Sequence, residues 1–298
     1  MRRARIGFPN CTVTANLCAM IIDPPLARSP AAPDTRPIGV FDSGVGGLTV
    51  LRALAARFPH ESFLYLGDTA RVPYGTKSAR TVERYTIQVA SVLEAHEVKA
   101  LVVACNTASA LGLAALRAHT ALPALGVIQP GCRAALSATR SGRIGVIGTR
   151  TTIASGAYRH SLFLMQPKVT VADAPCPLFV PLAEEGWTDH PASHLIIEES
   201  LAPLKQHDID ALILGCTHYP VLKQAIGKVM GPEIALVDSA HAVADDLADL
   251  MPEVVRPTFE DAQQQLRYLV TDEADRFTEV ARRFLHGFPI ERAEMVDL

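Results

Sequence analysis

Short apolar runs alternate with amphipathic stretches along this chain, and the whole alternation occurs twice. Arg36-Pro37-Ile38-Gly39-Val40 resembles Gly142-Arg143-Ile144-Gly145-Val146, and each leads into a polar or glycine-rich turn. A second run follows each, Phe63–Leu66 and Val169–Ala172. A third follows, Leu101–Ala104 and Leu212–Gly215, and a fourth, Ala124–Ile128 and Ile234–Val237. Runs this short, bounded by turn residues, predict strands. Between them, Leu48–Phe58, Ser78–His96 and His194–Lys205 carry apolar residues at helical spacing. Arg267–Thr271 predicts one more strand and Asp272–Leu285 a last helix, which must join one of the two halves. The pattern therefore predicts an α/β fold. Two similar domains, each a mostly parallel sheet flanked by helices, are expected about a pseudo-twofold axis.

Parallel sheets bind ligands beyond the carboxyl ends of their strands. Cys105 and Cys216 each follow the third run of a half, at matching strand ends. If the halves face each other, both thiols enter one cleft. A single cysteine would read as a buried apolar residue. Two at equivalent strand ends, each followed by polar residues, read as chemistry. Two weak acids on opposite faces of a carbon suit inversion of a stereocentre: a thiolate removes the Cα proton and a thiol returns one to the other face. A thiol pKa responds strongly to its neighbours. The neighbours here are His218, two residues after Cys216, and Asp42, at the end of the first strand. Glu184 and Glu185 follow the second strand of the second half, and a solvated helix start is as good a reading for them. Asn106, Thr107 and Thr217 add hydrogen-bond donors beside the thiols, and Tyr74-Gly75 lies at the same sheet edge. The turn Asp42-Ser43-Gly44-Val45-Gly46-Gly47 lacks the spacing of a nucleotide-binding loop, so its amides are expected to hold the carboxylate of a ligand. Lys77 reads as part of a capping stretch before a helix, not as a Schiff-base partner for pyridoxal phosphate.

Composition narrows the classes. A chain of 298 residues, 49% of them hydrophobic, can bury one large or two smaller cores. The net charge of −3 points to neither nucleic acid nor an anionic membrane, and no apolar run is long enough to span a bilayer. The six cysteines contain no CxxC pair, which argues against a structural zinc site and for reduced thiols in the cytoplasm. Cys132 and Cys176 read as interior bystanders, and Cys11 and Cys18 lie in a segment rich in Pro, Ala and Arg. That segment, 1–35, is expected to be a poorly ordered extension, without the clean apolar stretch of an export signal.

Several stretches together resemble the glutamate racemase family. They are Gly39–Leu48, Gly67-Asp68 with Pro73–Ser78, Ala104–Ser109, Gly148–Thr152, Pro177–Gly186 and Leu214–Pro220. The likeness runs from about Ile38 to Leu285. It implies cofactor-independent interconversion of L- and D-glutamate, without metal or pyridoxal phosphate, supplying D-glutamate for peptidoglycan synthesis in the cytoplasm. By the resemblance, Cys105 acts on D-glutamate and Cys216 on L-glutamate, with Asp42, Glu184 and His218 as auxiliary catalytic groups. Asp42, Ser43, Tyr74, Gly75, Asn106, Thr107, Thr217 and His218 would contact substrate. The resemblance also implies a discontinuous first domain, 36–132 plus 245–298, and a second domain, 133–244, with the active site in the cleft between them. A homodimer is implied, and some relatives with such extensions depend on a cell-wall nucleotide precursor as activator. Rival readings are an aspartate or hydantoin racemase, a thiol hydrolase using Cys216 and His218, and a two-domain binding protein. The hydrolase lacks an oriented third group, and the binding protein leaves the paired thiols unexplained.

Overall fold

A computed structural model describes residues 34–250, 264–285, 287, 288, 290 and 292–298. Almost all of the expected extension, with Cys11 and Cys18, lies outside the described residues. Asp34 is already tied down: its carbonyl accepts from Lys99 Nζ (2.9 Å) and its carboxylate pairs with Arg36.

The strands are β1 (Ile38–Asp42), β2 (Phe63–Gly67), β3 (Ala100–Val103), β4 (Ala124–Gly126), β5 (Arg143–Gly148), β6 (Thr170–Pro175), β7 (Ala211–Gly215), β8 (Ala235–Val237), β9 (Leu266–Val270) and β10 (Glu294–Met295). They form two sheets. One has the order β10-β9-β2-β1-β3-β4, the other β6-β5-β7-β8, and every pairing is parallel. Second, first, third, fourth is thus the strand order in both halves. The repeat extends to register. Phe41 pairs with Val103 in one half and Ile147 with Leu214 in the other, so Cys105 and Cys216 each lie two residues past an equivalent pair. Strands covered on both faces need continuous apolar runs, and β1, β2 and β7 are buried at every position.

The predicted helices form with shifted ends. Ala79–Ala95 starts behind Ser78, whose hydroxyl caps the amide of Thr81. The helix expected at His194–Lys205 instead spans Pro191–Leu201. Proline at its first position is preorganised, and the His190 ring accepts the Ala192 amide (3.1 Å). Pro203 ends it, because a proline ring collides with the preceding turn. Ile128, expected to close β4, opens the helix Ile128–Ala138.

The tail joins the first half, where β9 pairs with β2. The final helix, Ala274–Leu285, buries Phe277, Val280, Ala281, Phe284 and Leu285 on one stripe. No helix among the described residues is long and apolar enough to cross a membrane.

Candidate active site

The carboxyl ends of the central strands supply the candidate chemistry. Cys105 follows β3 and sits at the N-cap of the helix Asn106–Leu111, where the Ala108 amide donates to its sulfur (3.4 Å). Cys216 follows β7, but the chain there makes a short 3-10 turn, Tyr219–Leu222, around Pro220. The cavity between these ends is lined by Ser43, Tyr74, Gly75, Cys105, Asn106, Thr107, Glu184, Cys216, Thr217 and His218. Ten of the residues singled out in the sequence therefore share one wall. Asp42 stands behind it, wholly buried. Its carboxylate accepts from the Gly44 amide (3.1 Å) and from Thr217 Oγ1 (3.3 Å).

That placement revises the reading of the glycine-rich turn. The carboxylate receiving its Gly44 and Gly47 amides is Asp42's own. Close packing supplies the rest of the need for glycine. A Cβ on Gly46 would collide with Thr217 Oγ1 and lie 2.5 Å from His218 Nδ1. One on Gly47 would lie 2.5 Å from Asp42 Cβ.

The two thiols have different neighbours. His218 is buried with Nδ1 3.8 Å from Cys216 Sγ and Nε2 2.8 Å from Glu184 Oε1. Burial pulls its pKa down, but the bonds to Cys216 and Glu184 overcome this and raise it to about 10. Burial pushes Glu184 upward, and the His218 bond more than reverses it, leaving the carboxyl below its usual range. The Phe284 ring packs edge-to-face with the imidazole at 5.4 Å between centroids. Cys105 has Ser43 Oγ at 3.6 Å and no imidazole among its bonded neighbours. Burial, and then the Asp42 charge, push its pKa up to about 12. Asp42 is itself raised by burial, against the opposing pull of His218 and the glycine amides.

Glu185 points elsewhere: it is exposed and pairs with Arg276 (3.0 Å). Tyr74 spends its hydroxyl on the buried Asp68 carboxylate, which also accepts from Arg71 and Thr271. That hydroxyl is therefore already paired, although Tyr74 lines the cavity. Lys77 follows the turn that Tyr74 begins, its amide donating to Tyr74 O (3.0 Å). Cys132 and Cys176 are buried and free.

Thr149 also lines the cavity, and the sequence marks it only as part of the Gly148–Thr152 likeness, not as a site residue. The repeat carried the signal. Asp42 and Gly148 end β1 and β5 in the same register, so Thr149 is the counterpart of Ser43.

Comparison with known proteins points one way. The Asp/Glu/hydantoin racemase family model matches residues 48–247. The chain is 52% identical over 252 residues to the glutamate racemase of Geobacter metallireducens, covering 84% of this chain and 93% of that one. It is similar to the solved glutamate racemase isoform of Bacillus anthracis, with a TM-score of 0.84, 38% identity, and 88% and 98% of the two chains covered. The Francisella tularensis glutamate racemase, solved with D-glutamate, gives 0.81 and 37%, again over 88% and 98%. The Escherichia coli glutamate racemase, solved with L-glutamate and the activator UDP-MurNAc-ala, gives 0.69 and 29% over 84% and 95%.

Proposed function

The chain belongs to the Asp/Glu/hydantoin racemase family and within it to the glutamate racemases, and from that premise we propose a two-base mechanism run by Cys105 and Cys216. The observation that carries this reading is the pair of thiols at register-equivalent ends of two sheets, both on the wall of one cavity.

From L-glutamate, Cys216 thiolate takes the Cα proton. The Cα–H electron pair passes into a carbanion conjugated with the carboxylate. Cys105 S–H then gives its proton to the opposite face, forming D-glutamate. Cys216 ends as thiol and Cys105 as thiolate, and the starting form returns when Cys216 gives a proton to solvent and Cys105 takes one from it, or when D-glutamate is processed in the opposite sense. A Cys105 thiol raised to about 12 by burial is held protonated at neutral pH, as the donor role requires. On the other side, imidazolium at His218 places a positive charge beside Cys216 Sγ. Glu184 holds that ring by its far nitrogen. Asp42, behind the wall, acts through Thr217 and through its charge on Cys105. In this reading Ser43, Asn106, Thr107 and Thr217, with the Tyr74-Gly75 main chain, bind the substrate's carboxylates and ammonium. General acid–base catalysis of this kind supplies about 10²–10⁴ in rate, and preorganised donors stabilise the charge developing at the carboxylate.

The role follows from the product: D-glutamate for peptidoglycan synthesis, made in the cytoplasm by a homodimer. A cell-wall nucleotide precursor is the proposed activator class. The E. coli relative, with its bound activator, supports that extension.

The test is racemisation of each enantiomer in heavy water with no cofactor added, for the wild type, Cys105→Ser and Cys216→Ser. Inversion with solvent deuterium at Cα, abolished in both variants, is the expected result. Absence of exchange with any acidic amino acid, even with a cell-wall nucleotide present, would move the reading to a binding protein.

A further inference from the structure

Two thiols from different sheets act on one carbon, so their separation depends on how the halves are fastened. Beside Cys105, three sets of side-chain bonds run from the first half to the second. Tyr158 OH donates to Asn106 Oδ1 (2.5 Å), and Thr107 Oγ1 lies 3.1 Å from Thr149 Oγ1 and 2.9 Å from Thr152 Oγ1. Both of these start on the helix that follows Cys105. The third differs. Thr151 Oγ1 donates to Gly75 O (2.7 Å), with Lys77 O at 3.5 Å, and so reaches a loop.

That loop carries Tyr74 and Gly75 on the cavity wall, whereas Thr151 is not on the wall. Thr151 itself is firmly placed. It lies in the first turn of the helix Arg150–Ala154, which Thr149 caps by accepting from the Thr152 amide (3.2 Å). The approach of the loop is possible only with glycine, since a Cβ on Gly75 would lie 2.6 Å from Thr149 Cβ. Gly75 is thus the point where the first half's loop touches the second half, and Thr151 holds its carbonyl there. Fixing the carbonyl fixes the rotation of the Gly75–Thr76 peptide, which belongs to the substrate-facing wall.

We propose that Thr151 is a positioning residue: its hydroxyl clasps the Tyr74–Lys77 loop to the second half and keeps that wall closed on the bound substrate. This rests on the racemase reading for its substrate but not for its geometry. Losing the clasp weakens binding of ground state and transition state alike, so it raises KM and leaves kcat nearly unchanged.

The experiment compares Thr151→Val, which keeps the shape and deletes the donor, with Thr151→Ser, which keeps the donor. Two things are measured: KM and kcat for D- and L-glutamate, and amide hydrogen exchange of the segment 74–77 without substrate. One neutral hydrogen bond corresponds to about a three- to tenfold rise in KM for the valine variant, with kcat within about twofold. Its loop should exchange faster, and the serine variant should match the wild type in both respects. Wild-type loop exchange and KM in Thr151→Val would overturn the clasp, as would a serine variant as impaired as the valine one. Thr151→Ala, which opens space, replaces the valine variant if that chain does not fold. A wild type that does not racemise glutamate overturns the reaction reading, and loop exchange still decides the clasp.

Discussion

The two halves share strand order and register and part company two residues after each cysteine. The equivalent positions hold Thr107 in one half and His218 in the other. Thr107 turns to the hydroxyls of Thr149 and Thr152, while His218 spans Cys216 and Glu184. One backbone plan thus builds two electrostatic settings. The first thiol is buried near a carboxylate and kept protonated. The second is faced by an imidazolium that a further carboxylate holds in place. In the proposed mechanism this duplicated scaffold would bring two acids to opposite faces of one carbon, each in its own electrostatic setting.

The largest expected effect comes from removing either thiol. Cys105→Ala and Cys216→Ala should each lower kcat/KM about 10⁴-fold, the upper range for a proton-transfer group. The loss must be the same for both enantiomers. Mirror-image substrates have equal free energy, so the ratio of kcat/KM in the two directions stays at one in any variant. Unequal losses in polarimetric initial rates at substrate concentrations far below KM would mean a second reaction is being read.

Phe284→Ala tests whether the brace on the His218 side is as costly to lose as its burial suggests. Denaturant melts should show about 3–5 kcal/mol of destabilisation, from lost burial plus the cavity left behind.

His218→Thr makes the second half resemble the first. A loss of about 10² in kcat/KM is expected, the lower range for a group assisting proton transfer. Wild-type activity should fall as pH rises through about 10, where the imidazolium loses its proton, and the variant's profile should lack that limb. Stability follows the same group. Its folded pKa lies above the ordinary value of 6.5. Its stabilisation is therefore complete below pH 6.5 and lost as pH climbs through about 10. Thermal melts of wild type and variant should converge above that range.

Glu184→Gln is the mildest change. The amide still accepts from the ring but carries no charge, and the side chain is one-third open to solvent (32%). A loss of about tenfold is expected, with the alkaline limb moved below pH 10. Glu185→Gln, at the exposed neighbour, should leave both unchanged.

Much of this was legible in the sequence, for identifiable reasons. Buried parallel strands must be continuous apolar runs, so the repeat, the sheets and both cysteines stand out in the sequence itself. The choice between Glu184 and Glu185 did not. Adjacent residues at a helix end point about 100° apart, and only the fold shows which direction holds His218. The role of the glycine-rich turn was hidden because a turn that presents amides does not say which carboxylate will take them. Asp42, two residues upstream of Gly44, takes them here. Thr149 was hidden for the opposite reason. Its signal lay in the repeat, but a threonine after a strand has no distinctive chemistry until it is paired with Ser43 by register.

The return of the chain to its first sheet has a consequence in time. A ribosome releases the chain from its amino end, so both cysteines emerge long before β9 does. Until Leu266–Val270 is made, β2 has an open edge, and unpaired edges invite association with other chains. Phe284, which braces His218, comes later still. The second thiol therefore acquires its finished surroundings only near the end of synthesis, so chains interrupted after Cys216 carry both sulfurs before Phe284 can pack against His218.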